Sequence, residues 1–273
     1  MSDLFSGLEE FGLGGLKGIE VYEEESAKSD ERSAERHQVT ESELLFDKTY
    51  ACPVCDREFK SKTVRTGKVK LISADTDLRP KYQLVDSLKY DAIVCPHCGY
   101  AALSRYFSYM TSAQAKLIKA QISANFKGVS YDDVYSYDDA IARHKLALLS
   151  TIVKKSKQSE KAYTCLKLAW LCRGKSESLP DDTKDIEEVK KKLHAEELDF
   201  IAKAYEGFIG AFSKEMFPMC GMDEHTTTYL AADLARRCGK FEESKRLLSK
   251  VLTARDAKDR IKAKAREVKD LMP

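Results

Sequence analysis

Cys52-Pro-Val-Cys55 and Cys95-Pro-His-Cys98 are the residues of this 273-residue chain whose type and spacing best suit a defined chemistry. A Cys-x-x-Cys turn holds two sulfurs at the separation a tetrahedral zinc ion needs, and two such turns complete a four-thiolate set. That set leaves no position open for water. The spacing therefore predicts one structural zinc ion on Cys52, Cys55, Cys95 and Cys98, not a catalytic one. In small zinc peptides such binding amounts to about 10–16 kcal/mol and is coupled to folding. Proline after the first cysteine presets each turn, and Gly99 after the last can take a positive φ. The competing reading is a redox dithiol, but thioredoxin-like chemistry needs a βαβ setting that neither motif has. His97 lies between two ligands and is expected to point away from the metal.

Between Cys55 and Cys95 lie 39 residues, against about 15–20 in compact zinc ribbons. The excess reads as an insertion. The β-rich run Thr63–Ser73, with Gly67 inside it, is expected to form a hairpin there, followed by an ordered loop. Asp91–Val94 is a short apolar run that leads into the second motif. Four further cysteines follow. Cys165 and Cys172 are seven apart on one predicted helix and share a face, which suits core packing. A second metal site from Cys220, His225 and Cys238 is the weaker alternative.

The elements behind the cysteines are helical. Apolar periodicity predicts helices over 110–126, 137–154, 158–173, 183–214, 224–238, 241–253 and 256–271, with Asp181 and Asp223 as N-caps. Ser136-Tyr-Asp-Asp-Ala-Ile141 and Gly239-Lys-Phe-Glu-Glu-Ser-Lys245 share a pattern that opens the second helix of a tetratricopeptide unit. The match is degenerate, so a compact TPR-like array is expected and not a long superhelix. The chain divides into a flexible acidic arm (1–40), a zinc-ribbon domain with its insertion (41–104) and a TPR-like helical domain (105–273). The fold class is mainly α with a small β zinc ribbon.

Residues 1–47 carry 13 acidic and 4 basic side chains, while the whole chain is +2. An acidic arm on a mildly basic body follows. The arm also holds Leu4, Phe5, Leu8, Phe11 and Leu16, a candidate docking peptide spaced by glycines that disfavour a helix. No apolar run is long enough to span a membrane and no secretory leader is visible, so a cytoplasmic protein with reduced thiols is expected. No P-loop, GxSxG, HExxH or dinucleotide turn occurs, and the five histidines lack a nucleophile partner. The expected function is a non-enzymatic interaction module that binds a protein or peptide. Nucleic-acid binding is the alternative, through Arg57–Lys89 between the motifs and Arg255–Lys269 near the C-terminus, and an enzyme that uses the helical groove is the second alternative. Acids interspersed in both stretches weaken the nucleic-acid reading.

Cys52-Pro-Val-Cys55, Asp75-Thr-Asp-Leu-Arg-Pro80 with Tyr82, Tyr90, and Cys95-Pro-His-Cys98-Gly-Tyr-Ala-Ala102 together resemble a family of uncharacterised bacterial proteins of Firmicute type, a domain of unknown function. The resemblance covers roughly residues 40–250. It implies a zinc ribbon followed by TPR-like helices and brings no activity. It assigns no role to Asp77 or Arg79. A buried Asp77–Arg79 ion pair that ties the insertion to the ribbon is the expectation, with a polar binding spot as the alternative.

Overall fold

The computed structural model describes residues 39–273. The acidic arm up to residue 38, with its candidate docking peptide, lies outside the described residues. Three antiparallel strand pairs come first: β1 (Leu45–Ala51) with β2 (Glu58–Val64), β3 (Leu71–Ala74) with β4 (Pro80–Tyr82), and β5 (Ala92–Val94) with β6 (Ala101–Leu103). Seven helices follow: α1 (Ser112–Ile118, continued by a π-helical turn Lys119–Ser123), α2 (Tyr137–Val153), α3 (Gln158–Glu177), α4 (Ile186–Phe212), α5 (Glu224–Arg237), α6 (Phe241–Thr253) and α7 (Asp259–Asp270). The protein is mainly helical with small strand pairs, as expected.

The helices start where local hydrogen bonding dictates. Ser136 and Asp139 form a reciprocal capping box, with Asp139 N donating to Ser136 Oγ at 3.1 Å and Ser136 N donating to the Asp139 carboxylate at 2.9 Å. Asp223 accepts from Thr226 N at 2.8 Å and opens α5. Asp181 does not open α4. Residues 180–183 instead close on themselves as a turn, with Thr183 N and Oγ1 both donating to Pro180 O, and the helix begins after Asp185.

The expected hairpin over 63–73 is also corrected. β2 ends at Val64 because it is already paired along its length with β1, from Leu45↔Val64 to Ala51↔Glu58. Its alternation buries Phe59 and Ser61, which sets the face that must turn inward, and Val64 is buried at its end. Gly67 sits in a short 3-10 turn, Thr66–Lys68. β3 pairs forward with β4 across residues 75–79, where Asp75 N donates to Arg79 O and Leu78 takes φ +69°.

Two packed cores matter for the site. Leu166, Leu168, Trp170, Leu171 and Cys172 of α3 pack with Ile201 and Phe208 of α4 and Leu230 and Leu234 of α5. Cys165 and Cys172 both lie in this core, as their shared face predicts. A second core joins Cys52, Val54, Phe59, Ile93, Cys95, Cys98, Tyr100 and Phe107 to Ile118 of α1, Ile122 of the π turn and Val153 of α2. The cysteines are thus packed into the same apolar cluster as the first two helices.

Candidate metal centre

Each Cys-x-x-Cys motif is the tip of a strand pair. Cys52–Cys55 joins β1 to β2, and Cys95–Cys98 joins β5 to β6. The tips share one backbone design. In the first, Cys52 N donates to Arg57 O and Asp56 N to Cys52 O; in the second, Cys95 N donates to Tyr100 O and Gly99 N to Cys95 O. The residue after each second cysteine is left-handed, with φ +59° at Asp56 and +74° at Gly99. Glycine is required at the second position for another reason. A Cβ there would stand 2.6 Å from the Phe126 ring, which covers the knuckle.

The tips face each other. Cys52 Sγ lies 3.6 Å from Cys98 Sγ, and Cys55 Sγ lies 3.7 Å from Cys95 Sγ. All four ligand atoms lie within 4.8 Å of one another. A tetrahedron with metal–sulfur bonds of about 2.3 Å has an edge of about 3.8 Å. A disulfide would need about 2.05 Å. The observed spacings fit the first and not the second, so the four cysteines could hold one metal ion, and their all-sulfur set suits zinc. Cys52, Cys95 and Cys98 are buried and Cys55 is half-buried.

Crowding four thiols splits their acidities. The contact with Cys95, with burial, pushes the Cys52 thiol up to about 12, and contacts with Cys52 and Cys95 push Cys98 up as well. Hydrogen bonds from Cys52 and Cys98 pull Cys95 down. A divalent cation among them would favour the thiolate form of its ligands.

α2 holds the two tips from behind. Arg143, 2% exposed, donates to Ser61 Oγ of β2 at 3.1 Å and to Ala92 O of β5 at 2.8 Å. Its guanidinium lies 4.6 and 4.3 Å from the ring centroids of Tyr131 and Tyr135. Burial lowers its pKa, and the two π faces are its nearest compensation. Ser150 of α2 accepts from Ala101 N of β6 at 3.2 Å. Sequence reasoning missed Arg143. The Tyr131-x-x-x-Tyr135 pair upstream was the available signal, but the strands it reaches lie far away in sequence.

Asp77 and Arg79 are both buried, at 0% and 4% exposure, but they do not pair with each other. Asp77 accepts from Arg173 of α3 at 2.5 Å and from Arg237 of α5 at 2.7 Å, and both arginines also reach Glu197 of α4. Arg79 instead meets Glu177 of α3 at 2.9 Å, with Asp86 and Asp75 at 3.7 and 3.8 Å. The tight turn at 75–79 sends the two side chains to different partners. Tyr229 OH of α5 also donates to Thr76 O at 2.5 Å. The 75–79 turn is therefore tied to the helices, while Val85 and Tyr90 of the insertion pack on Leu45 and Val64 of the ribbon strands. Burial works against charge on Arg173, but Asp77 and Glu197 hold its pKa above the ordinary arginine range.

The remaining candidates are dispersed. Cys220 Sγ donates to Ser159 O, and His225 pairs with Asp256 at 3.0 Å, so Cys220, His225 and Cys238 form no cluster. The four knuckle cysteines are the one metal-ligand group among the described residues. His97 is exposed and outside it. Four of the nine cations between the knuckles are paired off: Lys62 with Asp47 and Asp133, Arg79 with Glu177, Lys81 with Asp75 and Glu177, and Lys89 with Glu41. No helix among the described residues is long and apolar enough to cross a membrane.

The model of a family described as uncharacterized protein conserved in bacteria (DUF2225) matches residues 45–272. No curated protein and no solved structure matches the chain. The matched span begins at β1 and ends two residues beyond α7, so it takes in both knuckles, the insertion and every helix.

Proposed function

The chain belongs to this bacterial family, DUF2225, and we propose that it is a non-enzymatic interaction module held in shape by one structural zinc ion. The observation that carries this reading is the buried four-sulfur set, packed in one core with α1 and α2. Zinc bound by four thiolates supplies rigid cross-linking and no open coordination position. Cys52, Cys55, Cys95 and Cys98 would hold it, while Arg143 and Ser150 orient the two strand pairs against α2. Intact thiolates require a reducing compartment, which supports a cytoplasmic setting.

The docking surface in this reading is the groove between α2, α3 and α4. Leu148, Ile152, Ala162, Cys165 and Gly207 line a cavity of about 400 Å³. Gly207 lets α4 approach closely, since a Cβ there would stand 2.8 Å from Ala162 Cβ. Leu149 and Ile152 remain 46% and 54% exposed beside it. Lys161 on the rim has no carboxylate of the described residues within ion-pair distance. The partner that fits is an amphipathic helix with an apolar face and an acidic edge. Close packing of α5 on α6 around the buried Ala231, Ala232 and Ala235 supports a TPR-like organisation of the helices.

The test places a photo-crosslinker at position 152 in zinc-loaded protein and captures partners from extract, with Ile152→Glu as the comparison. The reading expects a crosslinked segment that is an acidic amphipathic helix and is released by Ile152→Glu. Identical captured sets for the two proteins, at equal zinc content, would overturn the groove.

A further inference from the structure

A second surface has different chemistry. The loop after β6, the start of α1 and the α2–α3 turn enclose an open cleft of about 840 Å³. Arg105, Lys154, Lys155 and Lys157 line it, with Glu160 as its acid. Glu160 is taken up by Lys154, whose Nζ lies 2.9 Å from Oε1 and whose side chain is 2% exposed. No described carboxylate lies within 4.0 Å of Arg105, Lys155 or Lys157; Arg105 also donates from Nη1 to Cys220 O and lies over the Tyr106 and Tyr163 rings. Tyr109, 74% exposed, stands at the same cleft.

The cleft does not end there. Met110 and Thr111 also line a neighbouring depression that runs to Pro53 and Val54 of the first knuckle; Lys116 and Lys119 line it, with the exposed Asp56 as its one acid. No described carboxylate lies within 4.0 Å of either lysine. The result is an elongated cationic track that passes one exposed tyrosine, from the α2–α3 turn to the zinc knuckle. A mononucleotide or inorganic phosphate needs only one end of it.

We infer that this track binds a single-stranded nucleic acid, with phosphates on Arg105, Lys155, Lys157, Lys116 and Lys119 and a base stacked on Tyr109. Cations tracking a backbone together with an aromatic platform are the recognition chemistry of single strands, and neither part reads sequence. The site is separate from the apolar groove and does not depend on it. It relocates the nucleic-acid reading of the sequence from the inter-knuckle cations, four of which are ion-paired, to lysines that the sequence reading did not single out.

The test is fluorescence anisotropy on zinc-loaded full-length protein, with a mixed-sequence single-stranded oligonucleotide, the matching duplex and inorganic polyphosphate as probes. About four phosphate contacts give a salt slope near −3, hence about 50-fold weaker binding at 200 mM than at 50 mM salt. Lys155→Gln with Lys157→Gln should lower that slope by about half, and Tyr109→Ala should weaken single-strand binding about tenfold. Lys264→Gln with Arg266→Gln on α7 should change neither. Thermal stability and zinc content of each variant confirm the fold. Three results would overturn the inference: no single-strand binding at 50 mM salt, unchanged binding by the Lys155/Lys157 variant, or equal affinity for polyphosphate with Tyr109→Ala silent, which marks a plain anion patch.

Discussion

Arg237 Nη1 of α5 donates to Asp77 Oδ2 of the β3–β4 turn at 2.7 Å, across 160 residues of sequence. Asp77 has no exposed surface and shares this contact with Arg173. A carboxylate buried so completely persists because two guanidinium groups meet it, and each guanidinium also has Glu197 to balance it. The insertion between the knuckles is thereby fastened to the helical array by charge, while the knuckles face each other through four sulfurs that could hold one metal ion.

Removing that carboxylate charge should be costly. Asp77→Asn keeps the shape but strands Arg173 and Arg237 in a half-closed site, and a loss of about 3 kcal/mol in urea unfolding is expected. Arg79→Gln should cost less, because its closest partner Glu177 is 46% exposed and can rehydrate, while Asp86 and Asp75 lie farther off at 3.7 and 3.8 Å. Equal losses for the two would show that Asp77 is not the anchor.

The two knuckles should respond oppositely at matched positions. Gly99→Ala puts a Cβ into the Phe126 ring and strains a left-handed backbone, so a loss of more than about 2 kcal/mol is expected. Asp56→Gly relieves a non-glycine residue at φ +59° and should be neutral or stabilising by about 0.5 kcal/mol. Chemical denaturation at constant zinc measures both.

His144 should give the protein an acid-side stability loss. It is fully buried, its Nδ1 bonds Ala140 O at 2.8 Å, and its Nε2 has no partner. Nδ1–H is therefore the donor and the ring is neutral. Burial lowers its pKa from 6.5 to about 4. The unfolded chain binds the proton first, so this contribution is complete above pH 6.5 and falls as pH drops towards 4. At pH 5 the loss is about 2 kcal/mol. His144→Gln should flatten the fall in denaturation midpoint between pH 7 and 5; an unchanged slope in the variant would refute the assignment.

Asp223 is the cap of α5, and its hydrogen bonds to Thr226 lower its pKa to about 2. Its side chain is 44% exposed, so solvent screening trims the effect, and Asp223→Ala should cost about 1 kcal/mol. This contribution is present above the unfolded pKa near 4 and is lost as pH falls towards 2. Asp223→Asn retains an acceptor and should cost less at pH 7.

What the sequence made legible follows from distance along the chain. The knuckles are four-residue turns, and the helix starts at Ser136 and Asp223 are contacts within three residues, so both could be read. Strand pairing and ion pairing are not local. β2 pairs back with β1 instead of folding on Gly67, and Asp77 finds partners 96 and 160 residues away. Neither choice leaves a mark within a short window. Asp181 was as good a cap residue as Asp223, but a competing turn to Pro180 took the local backbone. The lysines of the α2–α3 turn gain meaning only once Arg105 and Tyr109 are folded beside them.

X-ray absorption at the zinc edge, on protein purified without chelator and with its thiols reduced, tests the central claim most directly. Four sulfur neighbours at about 2.3 Å and no oxygen or nitrogen in the first shell are predicted, at one zinc per chain. A shell containing oxygen or nitrogen, fewer than four sulfurs, or less than half an equivalent of zinc would contradict a closed structural site on Cys52, Cys55, Cys95 and Cys98.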